Sequence, residues 1–205
     1  MINKQIYKNK TSQLIMKRSM SKGVLVEVSA RHAHLSQKDI DALFGKGYKL
    51  TFLKKLSQPS EFAAKETIAI SDKDKRIENV RVVGPARDKS TIEISKTDAY
   101  FLKINPKTKI YSDKKDCLIT AIGLKGRIKI PAIIKQRHIH MSDKEAKNLG
   151  LKNNDKVNVE VTGRRGLIFK NAVVRVSPNY KLAVHIDTDE GNAAGINAET
   201  IGKIV

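Results

Sequence analysis

The chain has 205 residues, which suits one large domain or two small ones, and its 40% hydrophobic content excludes wholesale disorder. Tryptophan is absent, so packing falls to valine and isoleucine, whose branched side chains favour β structure. The formal charge is +19, but 30 of the 40 basic residues are lysines scattered along the chain, with few aromatics among them. That is a solvated surface rather than the concentrated patch of a nucleic-acid reader. A field of this sign also attracts small polyanions such as phosphates and nucleotides.

Residues 1–22 are basic and polar around a short apolar centre, Leu14-Ile15-Met16, too weak for a signal-peptide core. They read as a flexible N-terminal tail. No run approaches the ~18 apolar residues that a membrane-spanning helix needs. From Val24 to Val28 the chain is a β-branched strand pattern, and it leads into Arg31-His32-Ala33-His34. Ser36 with Asp39 three residues on then forms a capping box, and the short helix it starts ends near Gly45.

Residues 79–85 and 91–95 read as further strands, with Gly84-Pro85-Ala86-Arg87 between them. A turn there would bring the Arg87 guanidinium, a fork suited to phosphate, toward the histidines. A plain surface arginine fits the same residues. Residues 105–116, rich in lysine and aspartate, read as the loop between two halves. Cys117 is the only cysteine, so an internal disulfide is excluded and a reducing compartment is expected. Its apolar neighbours Leu118, Ile119, Ala121 and Ile122 mark it as a buried structural thiol.

The second half repeats the first. A β-branched run, Ile130 to Ile134, leads into Arg137-His138-Ile139-His140, then a capping box of Ser142 and Glu145, then a helix stopping at Gly150. Asn171 to Pro178 echoes Asn79 to Pro85, and the strand around His185 echoes that around Glu93. Thr97-Asp98-Ala99 and Thr188-Asp189-Glu190 close the two segments. The pattern predicts a mainly β protein with short helices, built as a duplicated pair of small β-barrel domains.

The five histidines are His32, His34, His138, His140 and His185, and four lie in the repeated motifs. Residues i and i+2 of a strand share a face, so each His-x-His pair turns its imidazoles to one side. The duplication supplies each pair with a third donor from the equivalent strand. It predicts two sets: His32, His34 and Glu93, and His138, His140 and His185. Three protein ligands leave a coordination position open, as in a catalytic zinc site. A cupin-type oxygenase is disfavoured, because Glu93 lies far from the histidines it would have to follow closely.

Ser29-Ala30-Arg31-His32-Ala33-His34-Leu35-Ser36, Ser57-Gln58-Pro59, Phe62-Ala63-Ala64-Lys65-Glu66-Thr67, Gly84-Pro85-Ala86-Arg87, Glu93-Ile94-Ser95, Gln136-Arg137-His138-Ile139-His140-Met141-Ser142 and His185-Ile186-Asp187-Thr188-Asp189-Glu190 occur in an order that resembles the PduL-type phosphate propanoyltransferases, from about Gly23 to the C-terminus. The resemblance implies that the N-terminal strand joins the C-terminal barrel. It thus divides the chain into a tail over 1–22, a first barrel over 31–135, and a second barrel formed by 23–30 plus 136–205. It also implies an active site at the barrel junction, holding two zinc ions per chain.

The implied reaction is acyl-CoA, propanoyl-CoA or acetyl-CoA, plus inorganic phosphate giving acyl phosphate plus CoA, reversibly. His32, His34 and Glu93 would hold the metal facing the CoA thiol, and His138, His140 and His185 the other. Arg87 would be the catalytic phosphate-binding residue, and Val28, Ser29, Ala30, Arg81 and Asn192 would lie near CoA. The implied setting is cytoplasmic, in acetate metabolism or, for propanediol utilisation, inside a bacterial microcompartment, with no nucleic-acid or membrane partner; a homodimer is one assembly open to it. The N-terminus departs from microcompartment members, since residues 1–22 lack an amphipathic period. Two rivals share the residue pattern: a dinuclear zinc hydrolase of thioesters or phosphate esters, and a basic nucleic-acid-binding protein with structural metal.

Overall fold

Alternating β-branched segments make most of the chain strand. The structure, a computed structural model, describes residues 23–113 and 116–205. The flexible tail expected over residues 1–22 lies outside the described residues. The described elements are β1 (Val24–Val28), β2 (His32–Ser36), α1 (Gln37–Phe44), β3 (Phe52–Lys55), β4 (Phe62–Asp72), β5 (Lys75–Arg87), β6 (Thr91–Ile94) and α2 (Lys96–Phe101). They continue with β7 (Thr108–Lys109), β8 (Cys117–Ile122), β9 (Arg127–Lys135), β10 (His138–Met141), α3 (Asp143–Leu149), β11 (Lys156–Val161), β12 (Leu167–Val176), β13 (Ala183–Ile186), α4 (Thr188–Ala194) and β14 (Glu199–Ile204).

Two closed six-stranded rings result. One runs β2-β5-β4-β8-β9-β6 and back to β2, with β3 added to β4 and β7 to β9. The other runs β10-β12-β11-β14-β1-β13 and back to β10. The ring pairings match strand for strand: β2–β5 and β10–β12 are parallel, β6–β9 and β13–β1 are parallel, and the other pairings within the rings are antiparallel. Closure leaves no free edge within a ring. In this correspondence β1 is the partner of β9. Each of these strands precedes a His-x-His strand in sequence yet belongs to the other strand's ring. Residues 29–136 with 187–190 form one compact unit; 23–28, 137–186 and 191–205 form the other.

Each ring closes over its own apolar core. In the first, Ala33, Leu35, Val80, Val82, Ile92, Ile94, Ile119 and Ile130 pack together; in the second, Val24, Val26, Ile139, Met141, Val159, Val174, Val184 and Ile186 do so. The period of two then dictates where the chemistry goes. Ala33 and Leu35 enter one core, so His32 and His34 take the opposite face of β2. Ile139 and Met141 do the same for His138 and His140 on β10.

The helix signals hold. Ser36 and Ser142 cap α1 and α3 by accepting from the amides of Asp39 and Glu145, and Gly45 and Gly150 end them. Asn79 and Asn171, at matching places in β5 and β12, both take a left-handed backbone (φ 57° and 61°), which asparagine tolerates.

Three expectations change. Residues 105–116 do not join the halves, because β8 and β9 return to the first ring and the boundary falls at Gln136/Arg137. The segments at Thr97 and Thr188 are helical, α2 and α4, started at α2 by a capping box of Ser95 and Asp98 that short sequence windows conceal. Cys117 is half-buried rather than buried: it begins β8 and packs at the margin of the core, where burial raises its thiol pKa. No described helix is long and apolar enough to cross a membrane.

Candidate metal centres

Strand register assembles the first triad. In the antiparallel β2–β6 pair His32 lies directly opposite Glu93, and the period of two brings His34 to the same face. The ligand atoms of His32, His34 and Glu93 all lie within 4.8 Å of one another. His32 Nε2 and His34 Nε2 are 3.2 Å apart, and Glu93 Oε2 is 3.5 Å from His32 Nε2. Three donors on a tetrahedral zinc, with Zn–N near 2.05 Å, stand roughly 3.3 Å apart. Those two separations match such an ion, and His34 Nε2 lies 4.0 Å from Glu93 Oε1.

The surroundings prepare these donors. The Nδ1–H of His32 donates to the Ala30 carbonyl at 2.8 Å, which leaves the Nε2 lone pair directed at the cluster. Burial pushes the His34 pKa well below the ordinary imidazole value, with His32, Arg87 and Lys135 adding to the effect against the pull of Glu93. His34 is therefore neutral and able to ligate. Burial alone would raise the Glu93 pKa, but the Lys135 ammonium, with His32 and His34, holds it well below the usual carboxylate range. Lys135 Nζ donates to Glu93 Oε1 at 2.6 Å, leaving Oε2 on the histidine side.

The second triad follows the same construction. His138 lies opposite His185 in the antiparallel β10–β13 pair, and His140 shares its face. The three ligand atoms again fall within 4.8 Å, and His138 Nε2 and His140 Nε2 are 2.8 Å apart. Here the third donor is an imidazole, and the neighbouring strand supplies the carboxylate. Glu27 pairs with His185 in β1–β13, and its Oε2 is 3.3 Å from His185 Nε2. On the other side Arg175, opposite His140 in β10–β12, brings Nη1 to 3.5 Å from His140 Nε2.

The remaining expected site residues divide by unit. Arg87 ends β5, which continues as a strand through Gly84-Pro85, a cis bond, instead of turning. Its Nη2 meets Glu61 Oε1 at 2.5 Å, and its charge is felt at His34. Arg81 spends its guanidinium on the carbonyls of Ala64 and Lys65. Ser29 and Ala30 lead into β2 in the same unit. In the other unit, Val28 ends β1 against Gly191 of α4, the residue before Asn192.

The arginines of the two motifs are structural. Arg31 pairs with Asp98 at 2.7 Å, and Arg137 donates to the Lys170 carbonyl while lying over Phe169. Sequence pattern missed Glu27, Lys135, Arg175 and Tyr180. Each lies on or beside a strand that reaches its triad only through pairing, and no local spacing signals it.

Fold and donor sets together define a class: a protein of two small β-barrels, each presenting three side chains that could hold a metal ion. A phosphate propanoyltransferase family model matches residues 25–197. Similar proteins include the phosphate propanoyltransferase of Thermotoga maritima, 44% identical over 89% of both chains. That of Lachnoclostridium phytofermentans is 45% identical over 89% of this chain and 85% of its own. That of Clostridioides difficile is 40% identical over 88% of both. The chain belongs to the phosphate propanoyltransferase family, a family of transferases.

Proposed function

We propose that the chain is a zinc-dependent phosphate acyltransferase, interconverting acyl-CoA plus inorganic phosphate with acyl phosphate plus CoA, with propanoyl or acetyl as the acyl group. The observation that carries this reading is the pairing of a third donor directly opposite the first histidine of each motif, His32 with Glu93 and His138 with His185, in a chain of this family. His32, His34 and Glu93 would hold one zinc ion, and His138, His140 and His185 a second. Bound zinc supplies Lewis acidity, stabilising an anionic sulfur or oxygen without a protein proton donor.

In the forward direction a phosphate oxygen forms a bond to the thioester carbonyl carbon, the C–S bond breaks, and CoA leaves as its thiolate. The chain's own groups bind and orient. Neutral His34 keeps a lone pair available at neutral pH, and Lys135 fixes the Glu93 carboxylate and offsets its charge. Arg87 is proposed to exchange Glu61 for phosphate, a bidentate acceptor of the same shape and sign. Val28, Ser29, Ala30, Arg81 and Asn192 are proposed to lie along CoA. No nucleophilic side chain is required, consistent with a lone thiol whose pKa is raised.

The test follows thiol release from acetyl- or propanoyl-CoA with and without phosphate. Phosphate-dependent release, abolished by a chelator and restored by zinc, is expected. Phosphate-independent release would replace the transferase with a zinc hydrolase, and no release, with salt-dependent binding to DNA or RNA, would replace it with a binding protein.

A further inference from the structure

The two triads differ most in what flanks them. Strand neighbours in the same register point to the same side of a sheet, so the residues paired with the ligands share the ligand face. Beside the first triad, Val83 pairs with His34 and Ile133 pairs with Glu93. Both are buried and apolar. At the corresponding places beside the three-histidine triad stand Arg175, paired with His140, and Glu27, paired with His185. The charges are thus placed differently: Arg81 pairs with His32 and Lys135 reaches Glu93 on one barrel, whereas Arg175 pairs with His140 and Glu27 with His185 on the other.

Arg175 is held in place. Its Nη2 donates to the Tyr180 hydroxyl at 2.9 Å, and its guanidinium lies 5.4 Å from the centre of the Tyr180 ring. That ring in turn packs on His140, with centroids 4.2 Å apart. One tyrosine therefore fixes both the guanidinium and a candidate ligand. The Nη1 contact at 3.5 Å is to His140 Nε2, the nitrogen nearest His138 Nε2. With the triad loaded, the guanidinium stands beside a divalent cation.

Two cations side by side repel unless an anion lies between them. Glu27 stands on the His185 side of the triad and Arg175 on the His140 side, where the guanidinium is the fork that matches a tetrahedral oxyanion. We infer that Arg175, presented by Tyr180, is an anion-binding residue of the three-histidine site and takes the tetrahedral phosphate oxygens of the substrate. The inference deepens the proposed reaction and rests on it for the identity of the anion.

The test measures two things on R175A, R175K and Y180F: inorganic phosphate binding to the zinc-loaded protein by calorimetry, and zinc content by elemental analysis. The phosphate Kd of R175A should rise about tenfold or more, as expected for a lost charge-assisted contact, with zinc content as in the wild type. In the transferase assay the KM for phosphate should rise while that for acyl-CoA stays within about twofold. Y180F should show a smaller shift of the same kind. Unchanged phosphate binding, loss of zinc, or a shift confined to the KM for acyl-CoA would each overturn the assignment. Should R175A fail to fold, R175K decides by the same phosphate Kd, since it keeps the charge and removes the fork. Absence of transferase activity in the wild type would overturn the proposed reaction alone, and the calorimetry would still decide Arg175.

Discussion

The two barrels hold their donors with the same backbone and different electrostatics. Each places the first histidine of its motif opposite a third donor on the next strand, yet that donor is Glu93 in one and His185 in the other. The next strand along compensates with the complementary group: Lys135 reaches Glu93 at 2.6 Å, and Glu27 reaches His185 at 3.3 Å. Each triad is thus a donor set plus one carboxylate–base pair, assembled in opposite order. Duplication preserved the geometry, and divergence acted on charge. The first site has a carboxylate donor, with Val83, Ile133 and Arg81 in register beside the triad. The second has three imidazole donors beside Arg175 and Glu27.

The largest effect that breaks this comparison is loss of a donor. H140A and E93Q should each lower zinc from two ions per chain to one, and should reduce transferase activity more than about 100-fold, beyond the range for an outer partner. Metal analysis on the same samples tells which site emptied. If either variant keeps two ions, that triad is misassigned.

The compensating pairs come next. K135M leaves a buried carboxylate without its cation, so the metal-free protein should lose about 3 kcal/mol, and added zinc should raise Tm by more than it does in the wild type. E27Q should weaken zinc at the three-histidine site by about tenfold while leaving the other site untouched. Competition with a chromophoric chelator separates the two.

The pH dependence sharpens the same contrast. Glu93 is held below the usual carboxylate range in the folded protein, so its contribution is complete above the unfolded value of about 4.3 and is lost as pH falls below it. His34, also lowered, acts in the same direction from about pH 6.5 downward. Metal-free wild type should therefore lose stability on acidification, and E93Q should flatten the part below about pH 5. Denaturant titrations at a series of pH values measure this, and an E93Q curve parallel to wild type would refute the role given to Lys135.

The smallest expected effects test the repeat itself. N79A and N171A should each cost about 1 kcal/mol, because alanine tolerates the left-handed backbone poorly, and N79G and N171G should recover most of it. Unequal losses would show that the two positions are not equivalent.

Much of this was legible in the chain. Ser36, Ser142, Gly45 and Gly150 announced α1 and α3, because capping is a matter of neighbours within one turn. The echo of Asn79–Pro85 in Asn171–Pro178 announced paired barrels, and alternation around His32 and His138 put the imidazoles on the face away from the core. The repeat even nominated Glu93 and His185. Lys135, Glu27 and Arg175 were not legible, because each meets its triad across a strand pair whose register no short window contains. Composition alone put the join between barrels in the polar stretch 105–116, whereas the resemblance put it after residue 135; the pairing of β8 with β4 and β9 keeps the chain in the first ring.

The sequence by itself determined the donors, their faces and the caps, since these depend on periods of two and on contacts within a few residues. Only the tertiary structure decided which strand stands beside which. It put β1, which precedes β2, in the ring of β10, and β9, which precedes β10, in the ring of β2, and thereby gave a carboxylate donor a lysine and an imidazole a glutamate. Side-chain period is a local property of the backbone; register is settled by closure of the whole barrel, and the electrostatics of each triad follow from closure.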